Sequence, residues 1–322
     1  MIATRIDTIP MREVSWHEYQ QFLNRQREVV IEETHIPLTG CKQVPYLHPE
    51  NFEPERTTVW SFPERGTWAT HQGNYRGNWA PQIPRNLILH YTQPGDWVLD
   101  PMVGSGTTLV ECRLLGRNGI GVDINLQALM LTMDRLNFEP VSLYEHLPPS
   151  DIRVYHGDAR HLNLLGDNTI DLVATHPPYA GIITYSKHAP VPGDLSQLRS
   201  LSDFLDAMEQ IASECYRVLK PNKHCAILIG DTRRHKHYIP IAYRVMERFL
   251  KVGFILREDI IKVQWNMKST HERWKIGRER DFMLIFHEHL FVFRKPALGE
   301  NLNKFRESMF NGQASSSDTS LI

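Results

Sequence analysis

Alternation of short apolar runs with segments of helical spacing is the feature that most limits how this chain can fold, and it begins at Trp97. Each helix in such a pattern covers one face of the strands beside it, which favours a doubly wound, mostly parallel sheet. Strands are predicted at 97–100, 119–123, 152–159, 171–175, 224–231, 254–265 and 281–295. Helices are predicted at 106–116, 126–136, 201–219 and 238–253. The sequence therefore predicts an α/β fold whose last two strands form a hairpin at one end of the sheet.

The chain outside this pattern divides into an N-terminal segment, 1–68, and a C-terminal tail, 297–322, around a main domain at 69–296. The letters SWHE, starting at Ser15, form a capping box and predict a helix at 15–33. The rest of the N-terminal segment is irregular and punctuated by prolines. We expect an arm or small subdomain that covers the edge of the core or contacts a target. The tail is small and polar and is expected to be disordered.

The composition sets limits on partners and location. The chain has 36 Lys and Arg against 37 Asp and Glu, a net charge of -1, so any binding to nucleic acid must rely on local basic patches. No apolar run is long enough to cross a bilayer and the N-terminus has no signal-peptide core, which predicts a cytoplasmic protein with no membrane partner. The 4 cysteines include no C-x-x-C pair, so we expect reduced thiols and no metal site.

A glycine-rich turn, DPMVGSGTT at 100–108, follows the first predicted strand and precedes the first helix of the pattern. Glycines permit close backbone approach, and a helix N-terminus offers free N–H groups to a ligand. A phosphate-binding P-loop needs a lysine that this turn lacks, and a dinucleotide fingerprint needs a third glycine where the chain has Leu109. The candidate cofactor-binding residues of the turn are Asp100, Pro101, Gly104, Ser105, Gly106, Thr107 and Thr108.

Acidic side chains follow the first three predicted strands, namely Asp100, Asp123 and Asp158. Ligands of doubly wound sheets bind beyond the carboxyl ends of the strands, so the three carboxylates should face one ligand. They would repel a pyrophosphate, but they suit S-adenosylmethionine. Its ammonium group suits Asp100, its ribose diol suits Asp123 and its adenine amine suits Asp158. The alternative, that these acids are only helix N-caps, accounts for one or two of them more easily than for all three.

The stretches VLDPMVGSGTTLVE, GIGVDIN, GDA and DLVATHPPY together resemble the cofactor and catalytic motifs of the DNA methyltransferases that modify exocyclic amines, cytosine N4 or adenine N6. The resemblance covers about residues 70–295. It implies a seven-stranded methyltransferase sheet, which is Rossmann-like, with a reversed terminal hairpin. It also makes 69–296 the S-adenosylmethionine-dependent methyltransferase domain. Residues 73–96, including Asn78, resemble the region that closes over the methionine part of the cofactor.

The loop after the fourth strand, His176-Pro177-Pro178-Tyr179, is implied by this resemblance to handle the amine. The lone pair of an exocyclic amine is delocalised into the base, so an acceptor aimed at its N–H is needed to direct that lone pair at the methyl group. Two prolines keep the backbone out of the sheet ladder and hold a carbonyl, that of Pro177, in the site. Tyr179 offers a flat face to a base taken out of the stack. We therefore expect a flipped base and no covalent intermediate.

His176 departs from the family, which usually has Ser at this position in cytosine N4 enzymes and Asp or Asn in adenine N6 enzymes. A neutral imidazole can accept or donate one hydrogen bond, and we expect His176 to contact the base. Thr175 and the following YAGIITYS favour cytosine N4, with adenine N6 second. An RNA base-amine methyltransferase and an inactive protein that binds the cofactor or DNA are further alternatives. Methylation at cytosine C5 is excluded since the chain lacks the Pro-Cys motif that this chemistry uses.

Two basic segments that carry aromatic residues, 232–238 and 266–280, are expected to lie on the substrate side and to bind double-stranded DNA. The candidate nucleic-acid-binding residues are Arg233, Arg234, Lys236, Arg273, Trp274 and Lys275. The motif HEH at 287–289 is more typical of histidines on a sheet face than of a metal site, because H-E-x-x-H is absent. The sequence is compatible with a monomer or a homodimer.

Overall fold

A computed structural model describes residues 9–31, 33–142, 144, 146–178, 193–198, 200–265 and 281–310. The helices in these ranges are α1 (Trp16–Arg25), α2 (Gln82–Tyr91), α3 (Thr107–Leu115), α4 (Leu126–Leu136), α5 (Leu201–Val218) and α6 (Ile241–Val252). Two 3-10 helices span Leu195–Gln197 and Leu302–Ser308. No helix among the described residues combines the length and the apolar character that a membrane span requires.

The strands of the described chain differ widely in length, from two residues to eleven. They are β1 (Arg12–Glu13), β2 (Glu28–Ile31), β3 (Thr34–Pro37), β4 (Lys42–Val44), β5 (Val59–Ser61), β6 (Trp97–Asp100), β7 (Asn118–Asp123), β8 (Phe138–Pro140), β9 (Ile152–His156), β10 (Ile170–Thr175), β11 (Leu219–Ile229), β12 (Thr232–Arg234), β13 (His237–Ile239), β14 (Ile255–Val263) and β15 (His287–Arg294).

The main sheet of the described chain has the strand order β1-β9-β7-β6-β10-β11-β15-β14-β5. Neighbours from β9 to β11 run parallel, while β15 is antiparallel to both β11 and β14. The seven strands from β9 to β14 therefore form a doubly wound sheet with a reversed terminal hairpin, and the predicted fold class is confirmed. The outermost strands, β1 and β5, are additions that the sequence pattern did not indicate, and both come from the N-terminal segment.

Helices cover both faces of the sheet because their apolar residues recur on one side. Phe204 and Ile211 of α5 pack in one core with Val173 of β10. Leu87 of α2 packs in another core with Leu172, the neighbour of Val173 along the strand. Successive side chains of a strand point to opposite faces, so the two cores lie on opposite sides of β10. The carboxyl ends of the parallel strands therefore meet at one edge between two packed layers.

The helix predicted at 15–33 ends at Arg25. Ser15 caps it as expected, and its hydroxyl accepts from the backbone N–H of Glu18 at 3.1 Å. Beyond the helix, the β-branched run 29–31 lies in β2, which pairs with β3 as a hairpin. Branched side chains lose rotamer freedom in a helix and pack well in a strand, which explains why the helix stops early.

A buried carboxylate on α4, that of Asp134, fastens the N-terminal segment to the main domain. It accepts from the Tyr19 hydroxyl at 2.7 Å and from the backbone N–H groups of Thr39 and Gly40 at 2.9 and 2.8 Å. The N-terminal segment also covers both edges of the main sheet, because β1 and β5 are its outermost strands. Its alternative role in contacting a target stays a prediction, as do the domain boundaries.

The chain also departs from the predicted elements around the two basic segments. Residues 232–239 form a hairpin, β12 with β13, instead of a loop, and α6 begins after it at Ile241. The last strand starts at His287 rather than at 281. Helix α2 precedes the first predicted strand, in a stretch for which only the resemblance gave an expectation. Local propensity does not reveal α2, whose Leu87 and Ile88 pack in one core with Leu172 of β10.

Residues 302–308 form a 3-10 helix, so the disorder expected for 297–322 is wrong for that part. Arg294 on β15 pairs with Glu300 at 2.8 Å, and its guanidinium lies 5.0 Å from the centre of the Phe305 ring. A charge pair and a ring over the guanidinium hold this polar turn against the sheet. Residues 311–322 lie outside the described part of the chain.

Candidate active site

A cleft opens at the carboxyl ends of β6, β7 and β10 and encloses ≈ 800 Å³ of non-protein space including its mouth. This size is in the range of sites for small ligands and cofactors. The cleft brings together the following predicted site residues: Asn78, Asp100, Pro101, Gly104, Ser105, Thr107, Asp123, His176 and Pro178. It therefore joins the glycine-rich turn, two of the three strand-end acids and the start of the proline loop in one cavity.

Asp100 is a buried carboxylate at the end of β6, held by three donors. Hydroxyls of Thr108 and Thr175 donate to its two oxygens at 2.5 and 2.8 Å, and the Met102 N–H donates at 3.2 Å. Burial still raises the pKa of Asp100 to about 6. Thr108 does not line the cleft and orients Asp100 through its hydroxyl, and its expected contact with the cofactor stays a prediction. A cationic ligand group at this acid would stabilise its ionised form.

The glycine-rich turn combines left-handed backbone with close packing. Gly104 and Gly106 have φ angles of 53° and 84°, which other residues rarely adopt. A Cβ on Gly106 would lie 2.8 Å from Cγ2 of Thr132, so this glycine permits the close packing of α3 on α4. Its expected contact with the cofactor stays a prediction. Thr107 donates its hydroxyl to Oδ1 of Asn78 at 2.6 Å. This bond ties the segment before α2 to the start of α3.

Asp123 ends β7 and faces the cleft between the turn and the following helix. Its two oxygens accept from the backbone N–H groups of Gly104 and Asn125, at 2.9 and 2.8 Å. Burial raises the pKa of Asp123 to about 6 despite these donors, which lower it. The carboxylate is thus fixed in direction, and each oxygen keeps a lone pair for a further donor such as a diol.

Asp158 forms a buried ion pair next to the cleft. Both of its oxygens bond to the guanidinium of Arg160, at distances from 2.5 to 3.1 Å, and the same guanidinium donates to the Gly193 carbonyl at 3.1 Å. Asp158 does not line the cleft, whereas its neighbour Ala159 does. The guanidinium of Arg160 therefore links this acid to the backbone at Gly193, and the expected contact of Asp158 with an adenine amine stays a prediction.

Asp194 and Leu195 are cleft residues that sequence reasoning missed. Asp194 accepts from the Ser196 N–H at 2.8 Å and caps a 3-10 helix. Its charge raises the pKa of Asp123, so the two acids face a common space. Together with Ile124, Leu195 adds apolar wall to this part of the cleft. The only local signal for the acid is the Gly-Asp pair at 193–194, which also occurs in ordinary turns.

The start of the proline loop, at the end of β10, also belongs to the cleft. His176 and Pro178 line the cleft, and Pro177 is buried. The Trp79 ring stacks on the His176 imidazole with centroids 6.0 Å apart and planes at 25°. Burial lowers the pKa of His176, which favours a neutral ring. Tyr179, predicted to stack on the base, lies outside the described residues.

The basic hairpin β12–β13 engages two of its three predicted phosphate ligands internally. The Arg233 guanidinium lies over the rings of Tyr238 and Phe282, at 5.6 and 5.1 Å, and donates to the Lys236 carbonyl. The Lys236 ammonium lies 3.2 Å from Asp281. The predicted binding of nucleic acid by Arg233 and Lys236 would have to compete with these contacts, and it stays a prediction. Arg234 is exposed. The other predicted ligands, Arg273, Trp274 and Lys275, lie outside the described residues.

A buried glutamate on α3 anchors the wall of the cleft and was not expected from the sequence. Glu111 accepts from Trp68 Nε1 and His71 Nε2, both at 2.7 Å, and from Arg85 at 2.8 Å. Two of the donors, Trp68 and His71, precede Tyr75 and the cleft residues 77–79 along the chain, and the third, Arg85, follows them on α2. An acid in the apolar helix TTLVECRLL is the sequence signal for such an anchor, because a buried charge needs partners.

The doubly wound sheet, its reversed hairpin and the acid-lined cleft at the carboxyl ends of β6 and β7 together define a protein of the S-adenosylmethionine-dependent methyltransferase class. The model of the N6/N4 methyltransferase family, described as DNA methylase, matches residues 13–134 and 170–316. The chain belongs to this family. The resemblance seen in its motifs is thereby confirmed, while the choice between cytosine N4 and adenine N6 stays open.

Curated relatives include tRNA dimethyltransferases and type II methyltransferases. The chain is 31% identical over 141 residues to a tRNA (guanine(10)-N2)-dimethyltransferase of Methanothermobacter thermautotrophicus, covering 44% of this chain and 37% of the relative. It is 47% identical over 53 residues to a type II methyltransferase of Haemophilus parainfluenzae, covering 16% and 17%. The chain thus spans less than half the length of these relatives. A solved methyltransferase of Methanosarcina mazei is similar over 66% of this chain and 97% of its own, with 15% identity and a TM-score of 0.43.

Proposed function

We propose that this protein transfers a methyl group from S-adenosylmethionine to an exocyclic amine of a base in double-stranded DNA, with cytosine N4 as the first candidate. One observation carries the proposal. A single cleft joins the acids Asp100 and Asp123 to His176 and Pro178 of the proline loop. A cofactor site and an amine-handling loop that share a cavity can bring two reactants into contact, which supplies much of the rate of a bimolecular step.

The residues of the cleft suit S-adenosylmethionine. Asp100 is a buried acid whose hydrogen bonds within the described residues come from two hydroxyls and one backbone N–H, and it would hold the ammonium group. Asp123 would bind the ribose diol, and Ile124 and Leu195 would flank the adenine. We assign Asp194, in place of Asp158, to the adenine amine, since it lines this end of the cleft. When bound, S-adenosylmethionine supplies the activated methyl group.

The proline loop would position the amine for this chemistry. Pro177 has no N–H to donate to β11, so its carbonyl and that of His176 need not follow the ladder of the sheet. A carbonyl acceptor would bind one N–H of the amine and direct the nitrogen lone pair into the cleft. We retain Tyr179 as the face on which the extruded base stacks, because it directly follows a residue that lines the cleft. The amine loses its proton after the transfer, and no covalent bond to the protein is required.

The second candidate substrate is an RNA base amine. Its support is the similarity to tRNA guanine-N2 enzymes, since guanine N2 is also an exocyclic amine and would make the same demands on the loop. Adenine N6 in DNA comes next, and an inactive binding protein last. Incubation with labelled S-adenosylmethionine and equal amounts of duplex DNA and tRNA tests the order. We expect the wild-type protein to label DNA and the Asp123→Ala variant to label neither nucleic acid. Label in tRNA alone would reverse the order of the two candidate substrates.

Binding of the cofactor is expected to weaken as the pH falls through about 6, because Asp100 and Asp123 have pKa values raised from 3.8 to about 6. Both acids are protonated in the free protein below that pH, and a cationic ligand requires the carboxylate of Asp100. Binding should therefore release protons near pH 6. Because these pKa values are higher in the folded protein than the ordinary value of 3.8, protonation of the two acids stabilises the free fold below pH 3.8. This stabilisation is lost as the pH rises through about 6.

Calorimetry in two buffers of different ionisation enthalpy measures this proton release directly. Asp123→Asn should make the pH dependence shallower, since one of the two titrating groups is removed. An affinity and a proton count that stay constant across this pH range would contradict the assignment of the two acids to the cofactor.

Arg234→Ala is expected to weaken binding to duplex DNA of any sequence and to reduce the slope of log affinity against log salt by about one phosphate contact. Arg234 is an exposed cation of the hairpin, whereas Arg233 lies over two aromatic rings and Lys236 pairs with Asp281. The exposed Arg27, in the N-terminal segment, provides the matched control Arg27→Ala. Fluorescence anisotropy at several salt concentrations gives both quantities. Equal effects of the two variants would remove the hairpin from the proposed interface.

A further inference from the structure

The motif His287-Glu288-His289 begins β15, and its middle residue is a buried acid. Glu288 is 4% exposed. Its Oε2 lies 3.0 Å from Nζ of Lys262, its register partner on β14. Its Oε1 lies 3.8 Å from Nε2 of His176. Glu288 therefore connects the loop after β10 with the reversed hairpin, two strands away in the sheet order.

The path from His176 to Glu288 crosses the end of β11, which lies between β10 and β15. Leu228 of β11 is the register partner of Leu290 on β15. Continued by two residues, this register sets position 230 opposite Glu288 and on the same face as Leu228, because side chains alternate along a strand. Position 230 is a glycine. With no side chain at that point, the imidazole and the carboxylate can approach each other over the strand.

The charge of His176 is controlled from several sides among the described residues. Glu288 on β15 raises its pKa and Lys262 on β14 lowers it, and a hydrogen bond with the backbone of Gly77 raises it. Trp79 covers one face of the ring and carries no charge. Burial outweighs these effects and lowers the pKa of His176. Because Glu288 and Lys262 neutralise each other, the pair can orient the imidazole without forcing a proton onto it.

We propose that Glu288 and Lys262 are positioning residues that, as a neutral pair, orient the buried, unprotonated imidazole of His176 so that it accepts a hydrogen bond from the base amine. This inference rests on the proposed function, because it takes His176 to contact the base. A neutral imidazole nitrogen can accept from an amine N–H, whereas an imidazolium can only donate. The buried pair therefore gives the histidine of this loop the acceptor that base-amine methylation uses.

Two substitutions with opposite effects on the local charge test the proposal. Glu288→Gln removes the negative charge that balances Lys262, and Lys262→Met removes the positive charge that balances Glu288. We expect the acid limb of the kcat profile against pH to move to lower pH in Glu288→Gln and to higher pH in Lys262→Met. In the full-length protein without substrate, the NMR titration of the His176 ring in a sample labelled at histidine should move in the same two directions. His176→Ser identifies that signal among the 16 histidines.

The NMR titration and the rate profile separate this inference from the proposed function. Opposite displacements in both measurements support the inference. If both variants fold and their titrations are not displaced, or are displaced in the same direction, the inference is overturned even if methylation occurs. If the ring titrates as expected but wild-type protein methylates no nucleic acid, the control of the His176 charge is supported and the proposed function is rejected. Should one variant fail to fold, the direction seen in the other decides, because damage to packing alone predicts no displaced titration.

Discussion

Glu111→Gln is expected to lower the free energy of unfolding by about 3–5 kcal/mol, the usual cost of removing one partner from a buried ion pair. Glu111 is fully buried and receives three hydrogen bonds, one of them from the Arg85 guanidinium. The substitution keeps the shape of the side chain but removes the charge that balances Arg85, itself buried. Urea unfolding followed by circular dichroism measures the difference.

The same variant should also bind S-adenosylmethionine more weakly at temperatures where it remains folded. The donors to Glu111 lie on both sides of the cleft residues 77–79 along the chain, with Trp68 and His71 before them and Arg85 after them, so this wall should lose its anchor. Glu50→Gln is the matched control, because Glu50 is exposed. A stability loss no larger than that of the control would mean that the network is not the anchor described above.

Tyr179→Ala is expected to leave cofactor affinity nearly unchanged while it costs about 1–3 kcal/mol of base stacking. The loss in turnover should be larger, because a base that no longer stacks is not held in line with the methyl group. Single-turnover methylation measures the chemical step, and calorimetry measures cofactor affinity in the same preparation. Tyr46→Ala is the matched control, since Tyr46 is 69% exposed and lies far along the chain from the loop.

A mismatched target base sharpens this experiment, because a mismatch lowers the cost of extruding the base. Tyr179→Ala should recover part of its rate on the mismatched duplex, while the control variant should gain no more than the wild type. A wild-type rate of Tyr179→Ala on a matched duplex would remove the stacking role from the proposed mechanism.

The sequence reveals those parts of the site that local pattern determines. Asp100 and Asp123 end strands that read as strands, and each lies in the cleft because parallel strands end at a common edge. Gly104 carries the left-handed backbone that its loop requires. The proline loop can be recognised in the sequence because two consecutive prolines cannot continue a strand. Each of these inferences needs only a few neighbouring residues and the direction of one strand.

Other parts of the site depend on contacts that are distant in the sequence. The guanidinium of Arg160 binds the carboxylate of Asp158. The sequence pattern does not predict whether an arginine two residues after an acid pairs with it or faces solvent. Glu288 reaches His176 only through the register of three strands. The outer strands β1 and β5 pair with partners about 140 to 200 positions later, which explains why the irregular N-terminal segment gave no strand signal.

Identification of the methylated nucleoside is the measurement that tests the central claim most directly. Duplex DNA methylated with labelled cofactor is digested to nucleosides, and the labelled product is compared with standards. The account predicts N4-methylcytosine, with no label at cytosine C5. N6-methyladenine would keep the exocyclic-amine chemistry and change the base. Label in tRNA as N2-methylguanine with none in DNA, or label at a ring carbon of either polymer, would contradict the claim that this protein methylates a base amine of DNA.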